Sequence, residues 1–164
     1  MSPQDRFREL ATAYAPAMRR LCTVYARGSH DREDLFQNIF LALWKALPNY
    51  RGDSSERTWV YSIAHNVALT WQARERRWLD RRRDLDEASN AAEAPPSDRR
   101  AQLYALISQL PAIDRQIVIL WLEGFTGAEI AAVAGMQPNA VAVRLTRIRQ
   151  SLTETLRTVE TRHE

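Results

Sequence analysis

Cysteine, glycine and lysine are scarce in this sequence of 164 residues, which has one cysteine, five glycines and one lysine. The single cysteine, Cys22, excludes a disulfide within the chain and any metal site built from cysteines. Because Cys22 stands among apolar residues at helical spacing, we expect it to lie in the core. The sequence also lacks a run of about twenty apolar residues, so it predicts no membrane insertion.

The usual marks of secretion, of metal sites and of enzymes are missing as well. The start of the chain, MSPQDRFREL, has neither an apolar segment nor a small-residue cleavage site, which together with the lone cysteine favours a cytoplasmic protein. The three histidines do not share a ligand spacing, and there is no glycine-rich phosphate loop and no nucleophile motif. We therefore expect no metal, no other cofactor and no catalytic residue, and the chain is not predicted to be an enzyme.

Positive charge is supplied almost entirely by arginine, and it is grouped at two places along the chain. The net charge of +3 is by itself a weak indication of a nucleic-acid partner. The grouping is more informative, because two separate basic segments can bind two parts of one polyanion. The first group is Arg74, Arg76, Arg77, Arg81, Arg82 and Arg83, and the second is Arg144, Arg147 and Arg149.

The first half of the chain predicts three amphipathic helices. Apolar residues recur at steps of three or four over residues 5–27, over residues 31–47, where Asp31 is expected to cap the helix, and over residues 57–77. The third helix is predicted to open with a capping box that starts at Asp53. Its apolar stripe is expected to be Trp59, Ile63, Val67 and Trp71.

Helical periodicity stops between residues 85 and 98. The segment DEASNAAEAPPSD is polar and contains proline, so it is predicted to be a flexible linker. The chain would then comprise a domain of residues 1–83, a linker of residues 84–98 and a domain of residues 99–164. The predicted fold class is all-α, with two small helical domains joined by that linker.

The last domain has the signals of a helix-turn-helix. Thr126 starts a capping box, Gly135 ends the helix that follows, and Pro138 suits the first turn of a longer basic helix. If Val141, Leu145, Ile148, Leu152 and Leu156 form its buried stripe, several side chains remain outside for a DNA major groove. These are Asn139, Ala142, Val143, Thr146, Arg147 and Arg149, with Arg144 between the two faces. The alternative is a four-helix bundle with a solvated arginine face.

Two features of the first domain have both a structural and a functional interpretation. The helix at residues 57–77 interleaves aromatic residues with arginines, which suits single-stranded nucleic acid, although ordinary core packing explains Trp59 equally well. The acids Asp31, Glu33 and Asp34 favour the helix dipole at a helix start. They also suit a docking face for a basic partner.

Four segments in this order resemble the extracytoplasmic-function (ECF) sigma factors. Residues 31–44, DREDLFQNIFLALW, resemble the acidic helix of sigma region 2 that docks on the polymerase clamp. The segments YRGD at residues 50–53 and TWVYSIAHN at residues 58–66 resemble the promoter-melting loop and the recognition helix. Residues 110–131 with the closing helix are similar to sigma region 4. The resemblance covers nearly the whole chain and has the linker at the same place.

The resemblance implies a role for each matching residue. On the β′ clamp helices of core RNA polymerase it places Asp31, Glu33, Asp34, Gln37 and Asn38. On the minus-ten element it places Tyr50, Arg51, Asp53, Ser54, Trp59, Asn66, Thr70, Arg74, Arg76 and Arg77. On the minus-thirty-five element it places Asn139, Ala142, Val143, Arg144, Thr146, Arg147 and Arg149. The implied mechanism is stabilisation of a melted DNA strand without covalent chemistry, and the implied partners include the β flap and an anti-sigma factor or other inhibitor.

The chain departs from the family pattern at a few of these positions. Asn38 stands where an acid is common, and Ala142 and Val143 stand where polar or basic residues are common. Two other functions remain open on the sequence alone. A helix-turn-helix repressor or activator explains the last domain but leaves the acidic helix and the aromatic loop unexplained. A helical adaptor without nucleic acid leaves both basic groups unexplained.

Overall fold

The computed structural model describes residues 1–84 and 98–162, and all regular secondary structure in these ranges is helical. The all-α class predicted from the sequence is confirmed. The chain divides into two compact units, Met1–Pro95 and Pro96–Glu164. The predicted linker at residues 84–98 lies almost wholly outside the described residues, so its flexibility and the limits of the two domains stay predictions.

The first unit is a bundle of three helices in which the middle one packs most closely on the other two. Its core consists of completely buried side chains, among them Met18, Leu35, Ile39 and Val60. Since burying one such side chain stabilises a fold by about 1.5–3 kcal/mol, this core holds the three helices together. The elements are α1 (Pro3–Tyr25), α2 (Gly28–Ala46), a single 3-10 turn (Leu47–Asn49) and α3 (Glu56–Arg83).

The junction between α1 and α2 differs from the prediction. Helix α2 already begins at Gly28, whose φ of 72° lies in the left-handed region that glycine adopts without strain. Its N-cap position is Arg27, which makes no side-chain cap bond, so the prediction that Asp31 caps the helix is wrong. Asp31 lies in the first turn, where its carboxylate still favours the positive end of the helix dipole.

Helix α3 differs from the prediction in its N-cap residue and in the side chains that it buries. It also extends beyond residue 77 to Arg83. The N-cap is Ser55, whose hydroxyl accepts a hydrogen bond from the Thr58 backbone N–H at 3.1 Å, so the capping box at Asp53 is wrong. The predicted stripe is one position out of register, because its large side chains are only half-buried at the rim of the unit. The buried face of α3 combines the small residues Ala64 and Ala68 with larger ones, and the buried set is Val60, Tyr61, Ala64, His65 and Ala68.

The second unit has four helices, of which α5 contacts the other three. Ile117 and Leu120 on α5 are completely buried, as are Ile107 and Ile130 on its neighbours. Pro111, which the sequence suggests for the first turn of α5, instead occupies the N-cap position just before the helix. The helices are α4 (Arg99–Ser108), α5 (Ala112–Leu122), α6 (Gly127–Ala134) and α7 (Pro138–Thr161).

The start and stop signals predicted for α6 and α7 are confirmed. The Thr126 hydroxyl accepts from the Glu129 N–H at 3.2 Å, and the Glu129 carboxylate accepts from the Thr126 N–H at 2.7 Å. Gly135 ends α6 with a φ of 67°, and Pro138 opens α7. These local bonds fix a short helix, a tight turn and a long helix, which is the helix-turn-helix arrangement.

A buried arginine, which the sequence did not reveal, joins α4 to α5. Arg115 is 3% exposed, and its Nη2 donates to the backbone oxygens of Ser108 at 2.9 Å and Leu110 at 2.8 Å. These carbonyls lie at and just after the end of α4, where backbone oxygens lack an intrahelical donor. Arg115 therefore fixes the angle at which α5 leaves α4.

Candidate functional site

Helix α7 turns its predicted DNA-facing side outward. Val141 and Ile148 are buried against the unit, and Leu145 is half-buried, so the predicted inner stripe is confirmed there. Gly135, which ends α6, and Pro138, in the first turn of α7, set this orientation by fixing where the helix begins. All seven side chains predicted for the minus-thirty-five element are exposed: Asn139, Ala142, Val143, Arg144, Thr146, Arg147 and Arg149.

The three arginines of α7 have three different surroundings. Arg144 donates from Nη1 to the Asp114 carboxylate on α5 at 2.7 Å. The Arg149 guanidinium lies 4.9 Å from the centre of the exposed Trp121 ring, a cation–π contact. Arg147 forms no ion pair with any residue in the described ranges. Sequence reasoning missed both Asp114 and Trp121, because their roles depend on how α5 crosses α7.

The loop before α3 is held by Tyr50. Its ring packs against the Trp59 ring with centroids 4.8 Å apart, and its hydroxyl donates to the Ser54 backbone oxygen at 2.7 Å. The Arg6 guanidinium also approaches this ring, 5.6 Å from the Tyr50 centroid. Trp59 is half-buried in this stack, so packing accounts for it as the alternative interpretation expected. Within the predicted loop, Arg51, Asp53 and Ser54 are exposed.

A tyrosine on α1 supports the same end of α3. Tyr14 is hydrogen-bonded to Glu56, the first residue of α3. Burial raises the pKa of Tyr14, and the nearby Glu56 carboxylate raises that pKa further. The Tyr14 hydroxyl therefore remains protonated at neutral pH and keeps its proton for Glu56.

The middle of α3 presents the predicted polar readers to solvent. Asn66 and Thr70 are one helical turn apart and both are exposed. The Thr70 hydroxyl donates to the Asn66 backbone oxygen at 2.9 Å, and the Asn66 side chain is itself exposed. The neighbouring His65, by contrast, is completely buried.

The end of α3 carries exposed arginines beside an aromatic ring. Arg74, Arg76 and Arg77 are exposed, as predicted for backbone contacts. Trp78 is 51% exposed, and the Arg82 guanidinium lies 4.5 Å from its ring centroid. In the sequence, Trp78 lies beyond Trp71, the last residue of the predicted apolar stripe. This position is the signal by which the exposure of Trp78 could have been predicted. An open groove here is lined by Asp31, Arg74, Glu75, Arg77, Trp78 and Arg81.

The acids of α2 do not form one uniform face. Glu33 pairs with Arg19 of α1 at 3.1 Å, and Asp34 lies 3.4 Å from His30 one turn earlier. Asp31 lines the arginine groove at the end of α3. Gln37 and Asn38 are exposed one turn after Asp34. Further along the same helix Leu41 and Trp44 are 50% and 40% exposed.

His65 is the buried polar group of the first unit that the sequence left without a role. The Tyr25 hydroxyl lies 3.0 Å from Nδ1, and Nε2 has no hydrogen-bond partner among the described residues. Burial lowers the pKa of His65 to about 3, so the ring is neutral at physiological pH. His65 is therefore a core residue and not a DNA contact.

The sequence predicts neither a metal site nor a membrane span, and the described residues can be searched for both. Among them, no group of His, Cys, Asp and Glu side chains is arranged to hold a metal ion. In residues 1–84 and 98–162 no helix has both the length and the apolar character needed to cross a bilayer. What these residues do present is a helix-turn-helix and two exposed, arginine-bearing helix faces.

Comparisons with known proteins give the family. Residues 10–79 match the model of sigma-70 region 2, and residues 100–152 match that of sigma-70 region 4. The RNA polymerase sigma factor CarQ of Myxococcus xanthus is 29% identical over 96% of this chain and 92% of its own length. The ECF RNA polymerase sigma-E factor of Escherichia coli K12 is also 29% identical, over 91% of this chain and 85% of its own.

A solved structure shares the fold. The sigma factor RpoE of Bartonella quintana, determined in complex with the anti-sigma factor NepR, aligns with a TM-score of 0.75 at 22% identity. The alignment covers 93% of this chain and 97% of that one. The chain belongs to the sigma-70 family of RNA polymerase sigma factors and is of the ECF type. The residues assigned to each contact stay predictions.

Proposed function

We propose that this chain carries core RNA polymerase to particular promoters and stabilises the DNA strand that melts there. The observation that supports the proposal best is that α3 in the first unit and α7 in the second each expose a group of arginines. Two such groups suit the two separated elements of a promoter. Membership of the ECF sigma family supports the same role. The chain acts in the cytoplasm, without a cofactor and without catalytic residues.

Helix α7 enters the major groove of the minus-thirty-five element. Asn139, Ala142, Val143 and Thr146 face the bases from the exposed side of the helix. Ala142 and Val143 can touch a thymine methyl group but cannot donate a hydrogen bond. Arg147 and the Trp121-supported Arg149 bind phosphates, so position and DNA shape contribute much of the recognition.

The first unit binds the minus-ten element along α3. Asn66 and Thr70 read bases from their exposed turn, and Arg74, Arg76 and Arg77 follow the backbone. The loop with Tyr50, Arg51, Asp53 and Ser54 captures a base that has left the stack. The Tyr50–Ser54 hydrogen bond and the Trp59 ring against Tyr50 support this by holding the loop before DNA arrives.

Helix α2 docks on the clamp helices of the β′ subunit, and the second unit on the β flap. Gln37 and Asn38 are the exposed polar residues of this α2 face, and Asp31, Glu33 and Asp34 supply its negative charge. The basic residues of a partner can pair with these acids and displace Arg19 and His30. An anti-sigma factor is a further partner, since a sigma factor of the same fold has been solved with one.

Reconstituted transcription tests the proposal. Core polymerase is incubated with the purified chain and a mixture of promoter fragments, and transcript starts are mapped by sequencing. We expect discrete starts that require the chain and that share two spaced sequence elements. Asn66→Ala should reduce transcripts from the preferred promoters, whereas Gln4→Ala, which changes an exposed amide at the start of α1, should leave them unchanged.

The same experiment separates the competing function. A helix-turn-helix repressor or activator would bind specific duplex DNA without core polymerase and would give no new starts when core polymerase is added. That outcome would overturn the sigma assignment for this chain. Discrete transcript starts that disappear when the charges of the α2 acids are reversed would support the sigma assignment.

A further inference from the structure

An ion pair between Asp114 and Arg144 joins α5 to the exposed side of α7. The Asp114 Oδ1 and Arg144 Nη1 atoms are 2.7 Å apart. The Asp114 side chain is 20% exposed and that of Arg144 is 43% exposed, so the carboxylate lies inside and the guanidinium reaches outward. Both line an open groove beside Asn139, Val143 and Arg147 on the proposed DNA face.

We propose that Asp114 is a positioning residue that makes Arg144 a reader of a guanine base and not a phosphate anchor. This rests on the proposed binding of α7 to the minus-thirty-five element. Neither Asp114 nor a base-reading Arg144 follows from the pattern of the sequence, which had grouped Arg144 with Arg147 and Arg149.

The charge of the pair supports base reading. A phosphate anchor works by bringing a net positive charge to the DNA backbone and releasing counterions. Arg144 and Asp114 together carry no net charge, and the carboxylate would itself be repelled by a phosphate. Arg144 still has N–H donors when it is paired with Asp114. The acceptors on a base edge are neutral, so a base can accept these hydrogen bonds without being repelled by the Asp114 carboxylate.

The free donors of Arg144 fit a guanine. Asp114 occupies Nη1, and Nε and Nη2 make no hydrogen bond to described residues, so these two nitrogens form one open edge of the guanidinium. Two parallel N–H groups are the donors that pair with guanine O6 and N7. An ion pair that already fixes the side chain also lowers the entropy that Arg144 loses when it binds.

The position of Arg144 along the helix is also suitable. It lies in the first half of α7, which begins at Pro138, and residues near the beginning of a recognition helix are the ones that contact base edges. Val143 beside it is 52% exposed and can contact a thymine methyl group. A base reader at residue 144 therefore agrees with the docking geometry of a helix-turn-helix.

The test uses holoenzyme made from core polymerase and the full-length chain. The preferred upstream element is first selected from fragments randomised there, and binding is then measured for that element and for versions changed at one base pair. We expect Asp114→Ala and Arg144→Ala each to lower the preference for one G·C pair by about tenfold, equivalent to the loss of one good base contact. The double variant should lose no more than Arg144→Ala alone.

Three controls make the outcome specific to the proposed role. Replacing the guanine by 7-deazaguanine should reduce binding of the parent but not of Asp114→Ala. The salt dependence should stay the same in the double variant, which keeps the net charge of the DNA face, whereas Arg147→Ala should reduce its slope by about one unit. Glu160→Gln, which breaks the 3.0 Å Arg99–Glu160 pair at the far end of α7, should change neither quantity.

Other outcomes overturn the inference. If Asp114→Ala strengthens binding to all sequences alike, Asp114 only masks a phosphate-binding arginine. If it changes nothing, the pair has no part in recognition. A parent holoenzyme without any upstream preference would overturn the proposed function and the inference with it. Should Asp114→Ala fail to fold, Asp114→Asn, which keeps the size and removes the charge, gives the same comparison.

Discussion

His65 makes the stability of the first unit depend on pH. Its ring is completely buried, contacts Tyr25 through Nδ1, and has no partner for Nε2 among the described residues. Burial of a neutral imidazole leaves a folded-state pKa of about 3, below its ordinary value of 6.5. Because the unfolded chain binds the proton more readily, the stabilisation is present above the unfolded pKa and is lost as pH falls from there towards the folded pKa.

We therefore expect the free energy of unfolding to fall by about 2 kcal/mol between about pH 7.5 and pH 5 from this residue alone. Urea unfolding followed by circular dichroism at several pH values measures it. His65→Asn keeps a polar group near Tyr25 but does not titrate there, so its stability should depend less on pH. Equal slopes for the parent and the variant would mean that the imidazole can be protonated in the folded state.

Asn66 is the next residue along the chain, and it is predicted to act in promoter recognition and not in the core. Its side chain is exposed, so the fold does not need its amide. Asn66→Ala is expected to lower discrimination at the minus-ten element by about 1–3 kcal/mol, the range for a lost base contact, with little change in unfolding. Competition between promoters with and without the preferred base measures this. A loss of folding with unchanged promoter preference would assign Asn66 a structural role.

At the scale of the helix, α2 shows how an acidic segment can have two uses. Its acids favour the helix dipole near the helix start, and they also pair locally with Arg19 and His30. Exposed ion pairs of this kind stabilise a fold by about 0–1 kcal/mol, so their loss should cost little stability. The acids are thus available to a partner without weakening the unit.

Reversing the charge of Asp31 and Asp34 by arginine should weaken binding to core polymerase by about tenfold or more, since like charges would then meet at the clamp. Titration of labelled chain with core polymerase measures the affinity. The matched control is Glu9→Arg with Glu154→Arg, which changes the total charge equally at exposed positions outside α2. If the two double variants bind core polymerase equally well, the docking assignment of α2 is wrong.

Helix α7 should bind its element partly through charge alone. Arg147→Ala and Arg149→Ala are each expected to weaken binding to matched and mismatched elements alike and to make the salt slope shallower by about one unit. Each variant is titrated against two DNA sequences over a range of salt. An arginine whose loss affects only the matched sequence, with the slope unchanged, contacts a base.

The helical signals of the sequence predicted much of this architecture, and the reason is that they are local. The Thr126–Glu129 capping box, Gly135 and Pro138 each act within one turn, and the structure has them as predicted. The predicted face of α3 was wrong because periodicity favoured the apolar residues Trp59, Ile63, Val67 and Trp71, which are only half-buried. Packing against the other helices instead buries a face that includes the polar His65 and two alanines, residues that a search for large apolar side chains overlooks. The Asp114–Arg144 pair spans thirty residues, and its geometry depends on the crossing of α5 and α7.

For the whole molecule, two units with separate cores predict two independently folding parts. Leu35 and Ile39 are completely buried in the first unit and Ile117 and Leu120 in the second. Chains of residues 1–84 and 98–164 are expected to keep their helical circular dichroism and to unfold cooperatively when expressed alone. Sums of their spectra should reproduce the spectrum of the full chain. A fragment that is unfolded alone would mean that its core needs the other part.

The length of α3 gives the first unit two regions of different local stability. Its 28 residues span about 42 Å, and from Arg76 to Arg83 every side chain is exposed. The packed half cannot open without disrupting the three-helix bundle, whereas the arginine-rich end can fray one turn at a time. Mutual repulsion of its guanidinium groups favours fraying, and a bound polyanion removes that repulsion. We therefore expect the end of α3 to gain order when it binds a polyanion, while the bundle beside it stays unchanged.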